Sequence, residues 1–306
     1  MKRVSVIVST YSTDRLSYVL SCIASLKKQS LLPHEVILVL DPDEDLVKFY
    51  KSHIPEDVRI IVSDGYGLSN ARNAGVKASR GEIIAFIDDD AVADRDWLKN
   101  LVKNYDDPYV IGAGGLIKPV WKGGRPSWFP EELDWIVGCS YKGLPECRCI
   151  VRNPIGCNMS FLRDVFEKVG YFNAEVGRIG KKLLASEETD FSLRALRKIP
   201  DSKIIHDPSV IVYHRVPRGR ANLRYLMRRS FYEGYSKALI VKYGSKQSCS
   251  LSTENRYLKY LLRNALPSRL IRFFEFKSLS QLLTLLLSTF LVFIGYIYGR
   301  TISRVQ

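Results

Sequence analysis

The stretch EIIAFIDDDAVAD, Glu82 to Asp94, decides how the chain reads. An apolar run, Ile83 to Ile87, ends in three consecutive aspartates, Asp88, Asp89 and Asp90. The run reads as a buried strand. Side chains alternate along a strand, so Asp88 and Asp90 point to one side while Asp89 faces elsewhere. Like charges this close repel and need a reason to be there. One reason is a hard divalent cation: oxygen ligands suit Mg2+ or Mn2+, which also bridges to substrate phosphates. The ordinary alternative is a solvated loop in which Asp90 or Asp94 caps the helix DWLKNLVKNY, because Asp is common before helices.

Outward from this stretch, strand and helix signals alternate. VSVIVST, EVILVL, VRIIVS and EIIAFID are β-rich; SYVLSCIASLKKQ, LVKFYKSHI and GLSNARNAGVKAS have helical spacing. Such alternation predicts a mostly parallel central sheet with helices on both faces, and ligands of such sheets sit beyond the strand C-termini. Those ends are polar or acidic: Thr10 and Tyr11, Asp41, Ser63 and Asp64, then the three aspartates. Arg72 and Asn73 follow the turn at Gly65 to Gly67 near a helix start, where backbone N–H groups also receive anions. The expected occupant is an anionic, sugar-bearing ligand with a metal. Tyr109 to Val151 is too irregular to assign; NPIGCNMSFLRDVFEKVG reads as a turn entering a helix, ASEETDFSLRALRK as a helix with acids in its first turn, and KIIHDPSVIVYHRV as strand.

The formal net charge of +14 is unevenly placed: residues 1–210 hold 29 Lys and Arg against 29 Asp and Glu, whereas residues 211–306 hold 17 against 3. The basic last third also contains SLSQLLTLLLSTFLVFIGYIYG, Ser278 to Gly299, 22 residues without a charge. About 20 such residues span a bilayer, and tyrosines favour its interface. A transmembrane helix over 278–299 is therefore expected, with a basic amphipathic segment at the membrane surface over 221–277 and a tail from 300 to 306; the alternative is a buried core helix. The first apolar run, from Val4, is too short for a secretory signal, so residues 1–220 are expected to remain cytoplasmic behind a single C-terminal anchor. Within them 1–93 reads as the nucleotide-binding half and 94–220 as the acceptor half. Cys139, Cys147, Cys149 and Cys157 match no zinc spacing and are expected to be reduced thiols.

In this order and spacing SVIVSTY, VILVLD, GLSNARNAGVKASRGEIIAFIDDDA, GCNMSF and SEETDFSLRA resemble the inverting family 2 glycosyltransferases of GT-A fold, over about Val4 to Pro217. The TYS and DDDAVAD versions, the YHRVP segment and the C-terminal apolar helix look most like archaeal transferases that add glucuronate to a lipid-phosphate-linked sugar in N-glycan assembly. The resemblance implies an α/β GT-A fold with a UDP-sugar donor. Thr10, Tyr11 and Asp41 would hold the uracil, Arg72 would contact the base or pyrophosphate, Asp88 would bind the ribose side, and Asp90 the metal, Mg2+ or Mn2+. EETD aligns with the family's acidic motif, whose second acid is usually Asp and acts as base. Here it is Glu188, with Glu187 beside it as the alternative and Asp190 less favoured.

The chemistry agrees with that placement. Breaking a sugar–nucleotide bond leaves negative charge on the departing diphosphate, so cations must wait there; a single displacement needs one base to deprotonate the acceptor hydroxyl. A neighbouring Glu187 would raise the pair's proton affinity; the bland reading of EETD is an acidic first helical turn. His214 is a candidate for the metal or a phosphate, although a lone histidine is more often structural. Arg215, Arg218 and Arg220 suit a phosphate of donor or lipid acceptor, or membrane headgroups. No QxxRW-like motif and no second span appear, which favours one sugar added to one lipid-linked glycan over polymer extrusion. A transferase for cell-surface polysaccharide is the second reading. A non-catalytic binder of nucleotides or nucleic acid is the third and is disfavoured, since acids at the sheet edge repel phosphates unless a metal intervenes.

Overall fold

The computed structural model describes residues 2–174, 186–243 and 252–302. Two compact units are present. The first is built from the chain up to Lys118, from Glu146 onward in the middle of the chain, and from Glu187–His214; the second takes in Pro119–Pro145 and the chain from Arg215.

The first unit begins as the sequence leads one to expect: β1 (Val4–Thr10), α1 (Leu16–Lys27), β2 (Glu35–Leu40), α2 (Glu44–His53), β3 (Arg59–Val62), α3 (Leu68–Ala78) and β4 (Ile83–Asp88). In α1 the residues Val19, Cys22, Ile23 and Leu26 recur at helical spacing and are all buried. α2 starts where the Asp43 carboxylate accepts the Leu46 N–H at 2.8 Å, and α3 starts after Gly67, whose φ of 102° favours glycine. β5 (Ala91–Ala93), α4 (Trp97–Lys103), β6 (Val110–Trp121), β7 (Cys149–Val151), β8 (Asn158–Leu162), α5 (Arg163–Val169), α6 (Glu187–Lys198) and β9 (Lys203–Val216) follow, the ends of β6 and β9 passing into the second unit.

The nine strands lie in one sheet in the order β3-β2-β1-β4-β8-β6-β9-β5, with β7 also on β9. The first four are parallel. Beyond β4 the sheet changes character, because β8 runs antiparallel to β4 and β6, and β9 antiparallel to β5 and β7. The expectation of a mostly parallel sheet therefore holds for its first half only. Ile7, Val39, Ile84 and Phe86 on one face join Phe161, Phe166 and Phe191 in the core; the alternating Val6, Val8, Leu38 and Ala85 are buried as well, so both faces are covered.

β6 and β8 were hidden in the sequence, as were the short β5 and β7. β6 carries Gly112, Gly114 and Gly115, poor strand formers that are required here by close backbone approach. A Cβ on Gly115 would lie 2.1 Å from the carbonyl oxygen of Val210 and 2.6 Å from that of Asp207. Gly115→Ala is expected to lower stability by about 1–3 kcal/mol, read as a lower denaturant midpoint. β8 does alternate, Asn158 and Ser160 on one face and Met159 and Phe161 on the other, but all four are buried and the strand runs directly into α5. The Asn158 amide donates to Val210 O at 2.8 Å and Leu116 O at 3.2 Å and its oxygen accepts from Trp97 Nε1 at 2.9 Å, which makes a buried amide tolerable.

The second unit contains α7 (Leu223–Tyr243), α8 (Ser252–Tyr260), one π-helical turn at Leu261–Ala265, α9 (Leu266–Ile271) and α10 (Phe276–Ile302). Two buried carboxylates in its irregular stretch are matched by arginines: Asp134 by Arg125 at 2.7 Å and Glu132 by Arg269 at 2.7 Å. α10 is long and apolar enough to cross a membrane.

Candidate active site

Parallel pairing places the ends of β1, β2 and β4 on one edge: Thr10 is level with Leu40, and Ser9 with Asp88. Antiparallel pairing then adds two further segments. Ile87 on β4 faces Asn158, which brings Gly156 and Cys157 next to Asp88. Ala91 on β5 faces His214, which brings that imidazole to Asp90.

The three aspartates are held by cations of the chain itself. Arg15 donates to both oxygens of Asp89, through Nε at 2.5 Å and through Nη2, and its Nη2 also lies 2.8 Å from Asp90. Burial alone would weaken the Arg15 charge, but the hydrogen bonds and charges of Asp89 and Asp90 outweigh it and keep the guanidinium more firmly protonated than usual. Burial likewise pushes the Asp89 carboxyl up, against the pull of Arg15. Asp90 Oδ1 lies 3.1 Å from His214 Nε2. Asp88 is 3.5 Å from Arg72 Nη2. Strand alternation ends at Asp88, where β4 stops and the chain turns. Asp89 therefore does not face away from its neighbours; it shares Arg15 with Asp90. Asp90 meets the His214 imidazole, while Asp88 groups with His214 and Cys157 in a set that does not include Asp90. Asp90 does not cap α4; the N-cap position is Asp96, whose own side chain makes no cap bond, and Asp94 Oδ1 accepts the Asp96 N–H at 3.3 Å.

Arg72, 3% exposed, is the hub of the edge. Its Nη1 donates to Glu187 Oε1 at 2.8 Å and its Nη2 to Gly156 O at 3.0 Å, with the rings of Phe86 and Phe172 about it. The guanidinium thus ties α3 to β4, to the turn before β8 and to the head of α6. Glu187 is as deeply buried as Arg72, whereas Glu188 is half-buried. Asp190 pairs with Arg194 at 2.9 Å, and Arg194 also donates to Val169 O and Tyr171 O, so Asp190 anchors α6 to the end of α5. Thr10 is buried at the end of β1, Tyr11 is 64% exposed with the Arg15 guanidinium 5.3 Å from its ring, and Asp41 sits half-buried at the end of β2. Burial raises the Asp41 pKa, opposed by the Gly67 N–H.

Of the residues marked in the sequence, Asp88, Asp90, His214, Arg72 and Glu187 are joined in this chain of contacts. Arg218 belongs to the second unit, where its side chain crosses Gly123. Sequence reasoning missed Arg15 and Cys157. Ligand atoms of Asp88, Cys157 and His214 all lie within 4.8 Å of one another. A carboxylate and an imidazole fit a divalent cation such as Mg2+ or Mn2+, with Asp90 adjoining through His214; the buried thiol is a softer neighbour. Chemically the edge offers a metal position, a rigid cation behind it and a carboxylate at a helix start. These are the components for stabilising a leaving diphosphate and taking a proton.

Residues 5–170 match the family described as glycosyl transferase family 2. A glucosyl-dolichyl phosphate glucuronosyltransferase of Haloferax volcanii is 34% identical, covering 97% of this chain and 96% of that one. The succinoglycan biosynthesis protein ExoM of Rhizobium meliloti is 28% identical over 74% of this chain and 71% of its own length. Among solved structures, the mannosyltransferase PcManGT of Pyrobaculum calidifontis, in complex with GDP-Man and Mn2+, covers 98% of this chain and 88% of its own at a TM-score of 0.60 and 17% identity, a likeness of fold. The sheet edge, the order of the motifs and the near full-length match together place this chain in glycosyl transferase family 2, as a glycosyltransferase of GT-A fold.

Proposed function

We propose that the protein transfers glucuronate, with inversion, from UDP-glucuronate to a sugar carried on dolichyl phosphate. The likeness to the Haloferax enzyme over nearly the whole of both chains carries this reading. Thr10, Tyr11 and Asp41 take the uracil, Asp88 the ribose side and one edge of the metal position, and His214 with Asp90 beside it the rest of that position. When bound, Mg2+ or Mn2+ neutralises charge on the diphosphate. Arg72, already engaged by Glu187, Gly156 and Asp88, fixes the edge from behind rather than gripping the donor. Glu188 accepts the proton of the acceptor hydroxyl as its oxygen bonds to the anomeric carbon and the bond from that carbon to the diphosphate breaks. Arg218 of the second unit serves a phosphate.

Membranes containing the full chain, given labelled UDP-glucuronate and glucosyl dolichyl phosphate, are expected to yield a labelled product that extracts into organic solvent and disappears with chelator. No transfer from any UDP-sugar, or transfer indifferent to chelator, would overturn the reading. The likeness to ExoM favours a second one, transfer in surface polysaccharide synthesis; in that case label appears with a different acceptor.

A further inference from the structure

α10 carries large apolar side chains outward as well as inward. Its buried side sets Leu282 and Leu285 among the small or polar residues Ser278, Thr284, Ser288 and Gly295. Its outward side carries Leu283, Leu286, Phe290, Phe293 and Ile297, at spacings of three and four and each between 43% and 59% exposed. In lipid this is the expected order: small residues and hydrogen bonds at the helix contact, large apolar side chains outside. The contact is with α7. A Cβ on Gly295 would lie 2.0 Å from Phe231 O, and one on Gly234 would lie 1.9 Å from Val292 O. The Ser230 and Ser288 hydroxyls meet at 2.8 Å.

The apolar face continues into the elbow between α9 and α10, where Ile271 is 85% exposed, Phe276 82% and Phe274 fully exposed. Water has no use for such a prong. Cations surround it: residues 252–277 hold six Lys and Arg against two Glu, with Arg263, Arg272 and Lys277 exposed. A second copy of the chain laid on this face would bring like cations together, whereas anionic headgroups complement them.

We propose that the outward face of α10 and the Ile271–Phe276 elbow form one lipid-contact surface, acyl chains covering Phe290 and Phe293 and anionic headgroups meeting Arg272 and Lys277, while α7 backs the other side of α10. This rests on the reading of α10 as a membrane helix and not on the transfer chemistry. The test uses the full chain in vesicles of phosphatidylglycerol and chain-brominated phosphatidylcholine, with Phe290→Trp and Phe293→Trp made singly. After subtraction of the parent's four tryptophans, both added fluorophores are expected to be quenched, and a Tyr109→Trp control on the first unit is not. Paired reversal of Arg272 and Lys277 to Glu should weaken binding to anionic vesicles by at least about fivefold for each cation removed and leave binding to neutral ones unchanged. Vesicle-bound protein without quenching overturns the proposal, as does a lipid-free dimer that shields Phe290 and Phe293. Transfer to a short-chain, water-soluble acceptor separates the two claims, since it survives if only the lipid surface is wrong.

Discussion

Glu188→Gln is expected to lower the rate of sugar transfer by about 10^2- to 10^4-fold, with UDP binding within twofold of the parent. Three acids open α6. Glu187 is buried against Arg72 at 2.8 Å and Asp190 is paired with Arg194 at 2.9 Å, so both hold structure together. Glu188 stands between them in sequence, half-buried, and is the proposed base. A glutamine keeps the size and removes the proton acceptor, so the loss should fall on kcat and leave donor affinity alone. Steady-state transfer beside UDP titration reads both. A Glu188→Gln variant of full activity would move the base elsewhere.

Arg72→Met is expected to destabilise the first unit by about 3–5 kcal/mol, because it takes the arginine from the buried Glu187 carboxylate. Both partners are under 5% exposed, and the arginine also holds the carbonyl of Gly156, beside which Cys157 and Asn158 enter β8. The double variant Arg72→Met/Glu187→Leu removes both charges and should be less unstable than the sum of the two single losses by about 0.5–3 kcal/mol, the coupling energy between the sites. Activity is not expected to return with stability. Without Arg72 the Asp88 carboxylate loses the cation 3.5 Å away, and the head of α6 loses its tie to the sheet edge. Urea midpoints for the four proteins of the cycle measure the first effect, and transfer rates of the refolded double variant measure the second. If the two single losses simply add up to that of the double variant, the pair is not the coupled unit described here.

The parallel half of the sheet was legible because each strand is a short apolar run and each intervening helix keeps its spacing. The antiparallel half was not. β8 is five residues long and runs directly into α5, so it reads as part of that helix, and the glycines of β6 answer to close approach by residues distant in sequence, Phe161, Asn158 and Val210. The candidate acids were legible as residue types at strand ends, since their local sequence places them. What neutralises them was not. Arg15 looks like any cation at the start of a helix, and only the fold carries it across 74 residues to Asp89. Arg72 reads as a ligand for an incoming phosphate because it follows a glycine turn, yet its partner Glu187 is 115 residues further on. Read from the sequence, a divalent cation is one way to balance Asp88 and Asp90; in the structure Arg15 faces Asp89 and Asp90, and Arg72 faces Asp88.

Equilibrium binding of UDP to the full-length protein in detergent, with Mn2+ and then with excess chelator, tests the nucleotide-sugar site at the sheet edge most directly, with Asp88→Asn alongside. Cation-dependent binding that weakens at least about tenfold in the variant, or about 1.4 kcal/mol, is the predicted result. UDP bound equally well by both proteins with and without the cation would contradict it.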